Sequence, residues 1–483
     1  MVFSSETFLF LFLPLFLALY YLTPTRFRSL TILLASYLFY GWWRFDFLGL
    51  LFLTTLWTFG FGLLIGRNVG TTRAKTFLII GLIGNLGVLG VFKYLNFFLD
   101  GFAALAGTDA AGLGMHWRLI LPIGISFYVF HAISYLMDVY RQDAKATRNF
   151  FDFAAFIALF PQLVCGPILR FKDLTAQFMH REHSPQLFAD GLARFTVGLA
   201  KKVLIADTIA PIADLAFSTP DPSMALAWLG SVAYMLQLYF DFSGYSDMAI
   251  GLGMMIGFRF MNNFDTPYIS RSITEFWRRW HISLSVWLRD YLYIPLGGNR
   301  KGALRTYVNL SLVMILGGLW HGANWTFFLW GIWHGVWLAI ERATGLSTSG
   351  STSALLRTLL AVLIGWVMFR SADVGQAMDM YAGMIGLHGF TIPVEIAIQL
   401  RQESLMVLIV AILLAATEPY LRNFVRAAYF PSEPSSMTVR GGTAMPLNAV
   451  NSLVPSLIVT ALAILCVMRL AEQDFSPFLY FQF

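Results

Sequence analysis

Charge is scarce in this sequence. Of its 483 residues only 12% are Asp, Glu, Lys or Arg, while 57% are hydrophobic. A soluble domain carries about a quarter charged residues, so a chain of separate soluble domains is excluded. Cysteine is scarcer still. Cys165 and Cys466 make neither a disulfide framework nor a thiolate metal site, and both fall in apolar runs where packing explains them. No positive segment precedes the first apolar run, "MVFSSETFLFLFLPLFLALYYL", and no small-residue cleavage site follows it. A cleaved signal peptide needs both, so this helix is expected to be retained. Also missing are a Walker motif, a dinucleotide-binding glycine fingerprint and a Gly-x-Ser-x-Gly turn for a serine nucleophile. No repeat period is visible. No basic groove is interleaved with aromatics, so nucleic acid is not an expected partner.

What abounds is apolar sequence in runs of membrane length, with Phe 45 and Trp 14, aromatics that collect where lipid meets headgroup. A spanning helix takes about 20 apolar residues. Candidate spans lie near residues 7–23, 29–43, 47–66, 76–98, 118–138, 203–217, 226–256, 306–321, 325–340, 354–370, 404–417 and 451–469. The net charge of +6 follows these spans. Arg26 and Arg28, then Arg67, Arg73 and Lys75, then Arg141, Lys145 and Arg148 fall in alternate loops, the pattern that places Lys and Arg in the cytoplasm. The N-terminus is then extracytoplasmic, and the long basic region 257–305 faces the cytoplasm.

One segment breaks the alternation. "FFDFAAFIALFPQLVCGP" (Phe150–Pro167) is short, and both flanks are basic, with Arg170, Lys172, Arg181, Lys201 and Lys202 downstream. We read it as re-entrant, broken by Pro161, Gly166 and Pro167. Irregular backbone at membrane depth is tolerated only where protein or a water-filled cavity satisfies it, so an internal cavity is expected. "STSGSTS" (Ser347–Ser353) and "PSEPSSMTVRGG" (Pro431–Gly442) read as surface loops. The expected fold class is an all-α integral membrane protein of about 11–12 transmembrane helices, with re-entrant and interfacial helices. It forms a single polytopic domain, 1–483, with N-terminal helices (1–115), a core (118–345) and C-terminal helices (350–483).

Polar residues inside such spans are costly and usually functional. In "YFDFSGYSDMAIG" (Tyr239–Gly251), Asp241 and Asp247 interrupt an apolar run, and Ser243 shares a helix face with Asp247. A polar network between helices explains them as well as a functional site does, and a proton path would use them too. In "SITEFWRRWHISLSVWLRDYLYIPLGGNRKG" (Ser272–Gly302), a helix drawn through Trp277–Tyr291 gathers Trp277, Trp280, His281, Leu284, Trp287, Leu288 and Tyr291 within roughly 120°. Arg278, Arg279, Arg289 and Asp290 lie off that stripe. The pattern predicts an interfacial helix at the cytoplasmic leaflet, with His281 on its buried face. An imidazole there is also an ordinary packing residue. The turn "LGGNRKG" sets glycines beside Arg300 and Lys301, which suits a phosphate-bearing ligand and equally a basic interfacial turn.

The last such stretch is "GGLWHGANWTFFLWGIWHG" (Gly317–Gly335). His321 lies about 20 Å along a span that enters from the cytoplasm, past the midplane. Gly322, Ala323 and Asn324 turn the chain, and His334 lies on the return. A buried neutral imidazole suits general-base chemistry. A hydrogen bond between helices is the plainer alternative. No His-x3-His pair and no carboxylate or cysteine set supports zinc, so no metal is expected. On the residues alone, His321 and His334 rank together and His281 third.

Together these stretches resemble the signature region of the membrane-bound O-acyltransferases, and within them the bacterial branch that O-acetylates exopolysaccharides such as alginate. The resemblance runs from the first residues through "LPIGISFYVFHAISYLMDVYR", "FPQLVCGPILRFKDL" and "YFDFSGYSDMAIG" to about residue 345, and is less distinctive beyond. It implies acyl transfer with His321 as the catalytic residue and His281 as a second active-site position, the two facing a central tunnel. It assigns no such role to His334, which becomes supporting. It implies acetyl-CoA as acyl donor, no permanently bound cofactor, and extracytoplasmic acetyltransferase partner proteins that deliver the group to the polysaccharide acceptor. The bacterial cytoplasmic (inner) membrane is the implied location. On that reading Arg278, Arg279, Arg300 and Lys301 would attract the CoA phosphates and Asn324 would stabilise the oxyanion. Trp277, Trp280, Asp241 and Asp247 would be supporting residues. Peptidoglycan O-acetylation and teichoic-acid D-alanylation are rivals inside the family. Outside it the rivals are a scaffolding membrane subunit and a secondary transporter with an Asp/His proton path, although the repeated halves common in transporters are not visible.

Overall fold

An apolar chain in lipid has only its own backbone to satisfy its amides and carbonyls, and helix is the local solution. The computed structural model is accordingly helical, with no strand among the described residues, which are 1–109, 111–112, 114, 117–346, 350–429, 453–472 and 478–479. Of the two expected surface loops, Ser347–Ser349 and the whole of Pro431–Gly442 lie outside them. Helices α1 (Leu13–Leu22, continuing a π-helical turn Thr7–Phe12), α2 (Arg28–Gly41), α3 (Asp46–Arg67) and α4 (Thr72–Leu105) follow the first four expected spans. The fifth starts later than its hydropathy suggests, as α5 (Ile125–Arg141). Gly124 turns the chain into it at φ 75°, and a Cβ there would stand 2.4 Å from Leu163 O, so only glycine fits.

The expected re-entrant segment is two short helices, α6 (Phe150–Ala158) and α7 (Phe160–Leu163), broken at Leu159 where ψ is 106°. Pro161 is not the break itself. It sits in the first turn of α7, where a missing N–H costs nothing. Every residue from Phe153 to Leu169 is buried, and side chains answer the freed backbone. Ser36 Oγ accepts from Phe160 N–H (3.1 Å), Ser283 Oγ from Ile168 N–H (2.9 Å) and His131 Nε2 from Leu169 N–H (3.3 Å), while Gln162 donates to Phe156 O (2.7 Å).

After α8 (Phe171–Met179) comes a correction. A span at 203–217 was expected to follow a basic loop holding Lys201 and Lys202. Instead α9 (Pro185–Ala200) passes through a π-helical turn, Lys201–Ala206, straight into α10 (Asp207–Ser218). The lysines lie inside the bundle and face α11 (Met224–Met255). Lys201 Nζ is 2.8 Å from Asp247 Oδ2, and Lys202 Nζ is 2.9 Å from Asp241 Oδ1 and 2.6 Å from Asp207 Oδ1. Arg194 adds a second cation to Asp247 at 3.1 Å. Glycines allow α9 and α11 this close. A Cβ on Gly244 would stand 2.7 Å from Gly198 O, and one on Gly251 2.5 Å from Gly191 O, the small-residue contact of membrane bundles.

The single amphipathic helix drawn through Trp277–Tyr291 is a second correction. Helix α12 (Ile273–Arg279) stops, Trp280 is extended, and His281 is left-handed (φ 43°, ψ 55°) before α13 (Ile282–Leu288), which runs into a π-helical turn Arg289–Tyr293. The stripe survives the break. Trp280, His281, Leu284, Trp287, Leu288 and Tyr291 are buried, Trp277 is half-buried, and Arg278 and Arg289 are exposed. Next come α14 (Ala303–His321) and α15 (Trp325–Thr344), then α16 (Thr352–Arg370), α17 (Val374–Met384), the short α18 (Val394–Ala397), α19 (Gln402–Tyr429) and α20 (Leu453–Glu472). Glu341 of α15 caps α12, accepting from Ile273 N–H (2.5 Å) and Thr274 N–H (2.9 Å).

Among the described residues, α3, α4, α14, α16 and Gln402–Tyr420 of α19 are each long and apolar enough to cross a membrane. Large apolar side chains such as Leu22, Phe45 and Leu105 are left more than three-quarters exposed, a surface suited to lipid. The protein is an all-α, multi-pass membrane protein. Fewer helices meet that criterion than the dozen expected, for two reasons. Helices α2 and α5 have only 14 and 17 residues, and α11 and α15 dilute their apolar residues with Asp, His, Gly and Trp.

Candidate active site

Glycines place the α14–α15 hairpin. A Cβ on Gly318 would stand 2.3 Å from Phe327 O, and one on Gly331 2.6 Å from Met314 O, so the two backbones touch. Helix α14 then ends on His321, because Gly322 is extended (φ −161°, ψ 150°). The first Trp-His-Gly is thus a helix end, whereas the second lies mid-helix in α15. Two identical tripeptides therefore put their imidazoles in different surroundings.

His321 is 7% exposed. Its ring centroid lies 5.0 Å from Trp320, 5.3 Å from Trp330 and 5.1 Å from Phe369. The ring lines a cavity of about 590 Å³ bounded by residues near Met1 and Thr7, by Trp42 and Trp43, by residues 121–127, and by Trp320. That volume is in the range of small-molecule sites. Lys93 of α4 lines it too. Its ammonium donates to the carbonyls of Trp320 and His321 and to Ser126 Oγ. Sequence reasoning passed over Lys93, although a lone lysine in "VFKYLNFF" was the signal that ionisable residues in spans provide.

His281 is held by a tertiary partner. Its Nδ1 lies 3.1 Å from Asn263 Oδ1, which also accepts from Ser283 N–H (3.2 Å) and Ser283 Oγ (2.9 Å). Ile282 N–H donates to Asn263 O at 2.9 Å, and this pair of contacts sustains the left-handed residue, a conformation that costs about 1–3 kcal/mol outside glycine. An oxygen that accepts from a backbone amide is fixed as an acceptor. The hydrogen-bond network therefore assigns the proton of the neutral ring to Nδ1 and leaves a lone pair on Nε2. Nε2 is buried without a hydrogen-bond partner among the described residues. The ring contacts Phe242 (4.8 Å) and Trp320 (6.2 Å). Trp320 thus touches both histidines. The cavity reaches Trp320, and His281 is not among the residues that line it.

His334 belongs to an aromatic layer, with centroids 5.2 Å from Trp277, 4.9 Å from Trp330 and 6.4 Å from Trp366. It is fully buried and is not among the residues lining the cavity. His334→Ala is expected to keep substantial transfer activity while lowering the melting temperature, as cavity-forming truncations do at about 2–5 kcal/mol. Parallel transfer assays and thermal unfolding check this. A folded variant as inactive as His321→Ala would place His334 in the chemistry.

The other residues singled out in the sequence scatter. Asn324 caps α15, accepting from Thr326 N–H (3.2 Å) and donating to Ala372 O (2.7 Å), so its amide is committed to structure. Asp241 and Asp247 are answered by the lysines of the π-helical turn. Trp280 packs on Phe276 and Trp366, and Trp277 on Trp330. Arg279 is held by Glu275 (2.9 Å) and Asp265 O (3.2 Å), whereas Arg278, Arg300 and Lys301 are exposed. One further contact had no motif to announce it. Leu479 N–H donates to Asp241 Oδ2 (3.0 Å), and Tyr245 is flanked by Phe478 (4.5 Å) and Phe3 (4.6 Å).

The protein is thus a polytopic helical membrane protein with one imidazole at the end of a spanning helix, on the wall of a cavity, and a second imidazole on the other side of Trp320. The MBOAT, membrane-bound O-acyltransferase family matches residues 126–352, the segment holding both histidines, and the chain belongs to that family. It is an O-acyltransferase acting on hydroxyl groups. Over 100% of both chains it is 51% identical to the probable alginate O-acetylase AlgI of Azotobacter vinelandii and 51% identical to that of Pseudomonas putida. It is 38% identical to the peptidoglycan O-acetyltransferase of Helicobacter pylori over 81% of each chain.

Proposed function

We propose that the chain moves an acetyl group from cytoplasmic acetyl-CoA across the bacterial inner membrane for O-acetylation of an extracellular polysaccharide such as alginate. The observation that carries this reading is the site of His321. It ends α14 on a cavity bounded by Met1, Trp42, Trp43 and residues 121–123, all segments that the charge rule puts outside. His281 follows α12 in the basic region that the same rule puts inside. Acceptor and donor then approach from opposite faces.

In the reaction, His321 takes the proton of an acceptor hydroxyl as that oxygen attacks the thioester carbonyl. The tetrahedral intermediate collapses, the C–S bond breaks, and the CoA sulfur leaves with the proton returned by the imidazolium. Trp320, in contact with both histidines, is the group that moves for donor and acceptor to meet. Arg278, Arg300 and Lys301 remain available for the CoA phosphates. Extracytoplasmic acetyltransferase partners receive or deliver the group at the outer face.

Full-length identity to probable alginate O-acetylases favours alginate as the acceptor, and the Helicobacter pylori relative makes peptidoglycan the second reading. Labelled acetyl-CoA supplied to the cytoplasmic side of membranes carrying the chain and its partners should yield labelled acetyl esters on alginate. Label on peptidoglycan instead would establish the second reading, and label on neither would refute both.

A further inference from the structure

His321 can serve as a base only if it is held still, and α14 stops at that residue. The carbonyls of a last helical turn have no amide partner within the helix. Three of them are met from α4. Tyr94 OH donates to Leu319 O (2.9 Å), and the Lys93 ammonium donates to Trp320 O and to His321 O (3.1 Å). The third ammonium hydrogen goes to Ser126 Oγ (3.3 Å), in the first turn of α5. An ammonium has three donors, and all three are placed. None is left for a substrate carboxylate or an oxyanion, even though Lys93 lines the cavity. A cation here also meets the negative end of the α14 dipole.

We propose that Lys93 is the positioning residue for His321. It fastens the last turn of α14 to α4 and α5, and so fixes where the imidazole stands in the cavity wall. The extended residue Gly322 makes the fastening necessary, because no further helical turn holds His321 from its C-terminal side. The inference rests on the reading of His321 as the base.

The test compares Lys93→Met and Lys93→Gln with the unaltered chain, each also combined with His321→Ala. Initial rates are measured in membranes against acetyl-CoA concentration, with thermal unfolding in parallel. Lys93→Met is expected to lower kcat by about 10- to 100-fold, the scale of an ångström-level misplacement, with KM for acetyl-CoA unchanged. Lys93→Gln, which keeps two amide donors, should retain more activity than Lys93→Met. On the residual rate of His321→Ala, neither substitution should add a further loss, because residues acting through one group are not additive. Wild-type kcat in folded Lys93→Met overturns the proposal. So does a raised KM with unchanged kcat, which would mark a substrate-binding cation. An equal fractional loss in both backgrounds overturns it as well, since general weakening of the fold gives that result. If Lys93→Met does not fold, the additivity test on Lys93→Gln decides alone. An active His321→Ala chain would overturn the reading of His321 together with this one. An inactive His321→Ala beside a fully active Lys93→Met would overturn only the positioning role.

Discussion

His321→Ala should lower acetyl transfer by about 10²–10⁴-fold, the usual contribution of a positioned general base, and leave the chain folded. The reason lies in the surroundings of the ring. Its neighbours Trp320, Trp330 and Phe369 are hydrocarbon-rich, so an aromatic ring suits the packing there. On the proposed reading the chemistry needs a nitrogen. His321→Phe separates the two demands, since it restores the bulk without the base. It should unfold close to the wild-type temperature and transfer no faster than His321→Ala. The check is transfer of labelled acetyl from acetyl-CoA in membranes, with thermal unfolding of each variant. Recovery of transfer in His321→Phe would show that the ring acts by shape alone.

Lys202→Met should be the most destabilising of the single substitutions considered. Lys202 is paired with Asp241 and Asp207, at side-chain exposures of 3%, 2% and 10% respectively. Removing the ammonium strands two carboxylates in the bundle. Breaking a buried pair from one side costs about 3–5 kcal/mol, because the remaining charge loses its counter-ion out of reach of water. A lowered unfolding temperature in detergent is the expected readout. Asp241→Asn added to Lys202→Met should recover part of the loss. The amide is uncharged yet keeps an oxygen for Leu479 N–H. A double variant no more stable than Lys202→Met would mean that the lysine stem, and not its charge, holds the helices. Transfer should fall with stability, since Phe242, next to Asp241 in sequence, packs on His281.

Much of the architecture was legible in the sequence because lipid leaves few options. Apolar runs of membrane length became helices, the basic-flanked segment before Pro167 became a broken and buried pair, and the Gly-rich Trp-His-Gly stretch became a tight hairpin. What stayed hidden depends on partners far along the chain. Periodicity alone cannot register that His281 leaves the helix, because Asn263 holds it there through contacts outside the heptad-scale window. Lys201 and Lys202 looked like loop charges, so the polar network that was one reading of Asp241 and Asp247 had no named partners. Only the packing of α9 on α11 pairs them. Likewise, the contacts of Lys93 with α14 cross 227 and 228 residues. The repeated Trp-His-Gly is the sharpest case. The tripeptide is the same twice, but Gly322 ends a helix at the first, whose imidazole meets a cavity, while the second stays mid-helix away from it.

The flanking of Tyr245 by Phe3 and Phe478, with Leu479 on Asp241 across 238 residues, has a consequence for biogenesis. Helices enter the bilayer as they are synthesised, but this core cannot close until residue 479 has been made. Contacts of such sequence separation form late. A growing chain therefore carries His281 and His321 in the membrane well before Phe478 and Leu479 can pack on Tyr245 and Asp241.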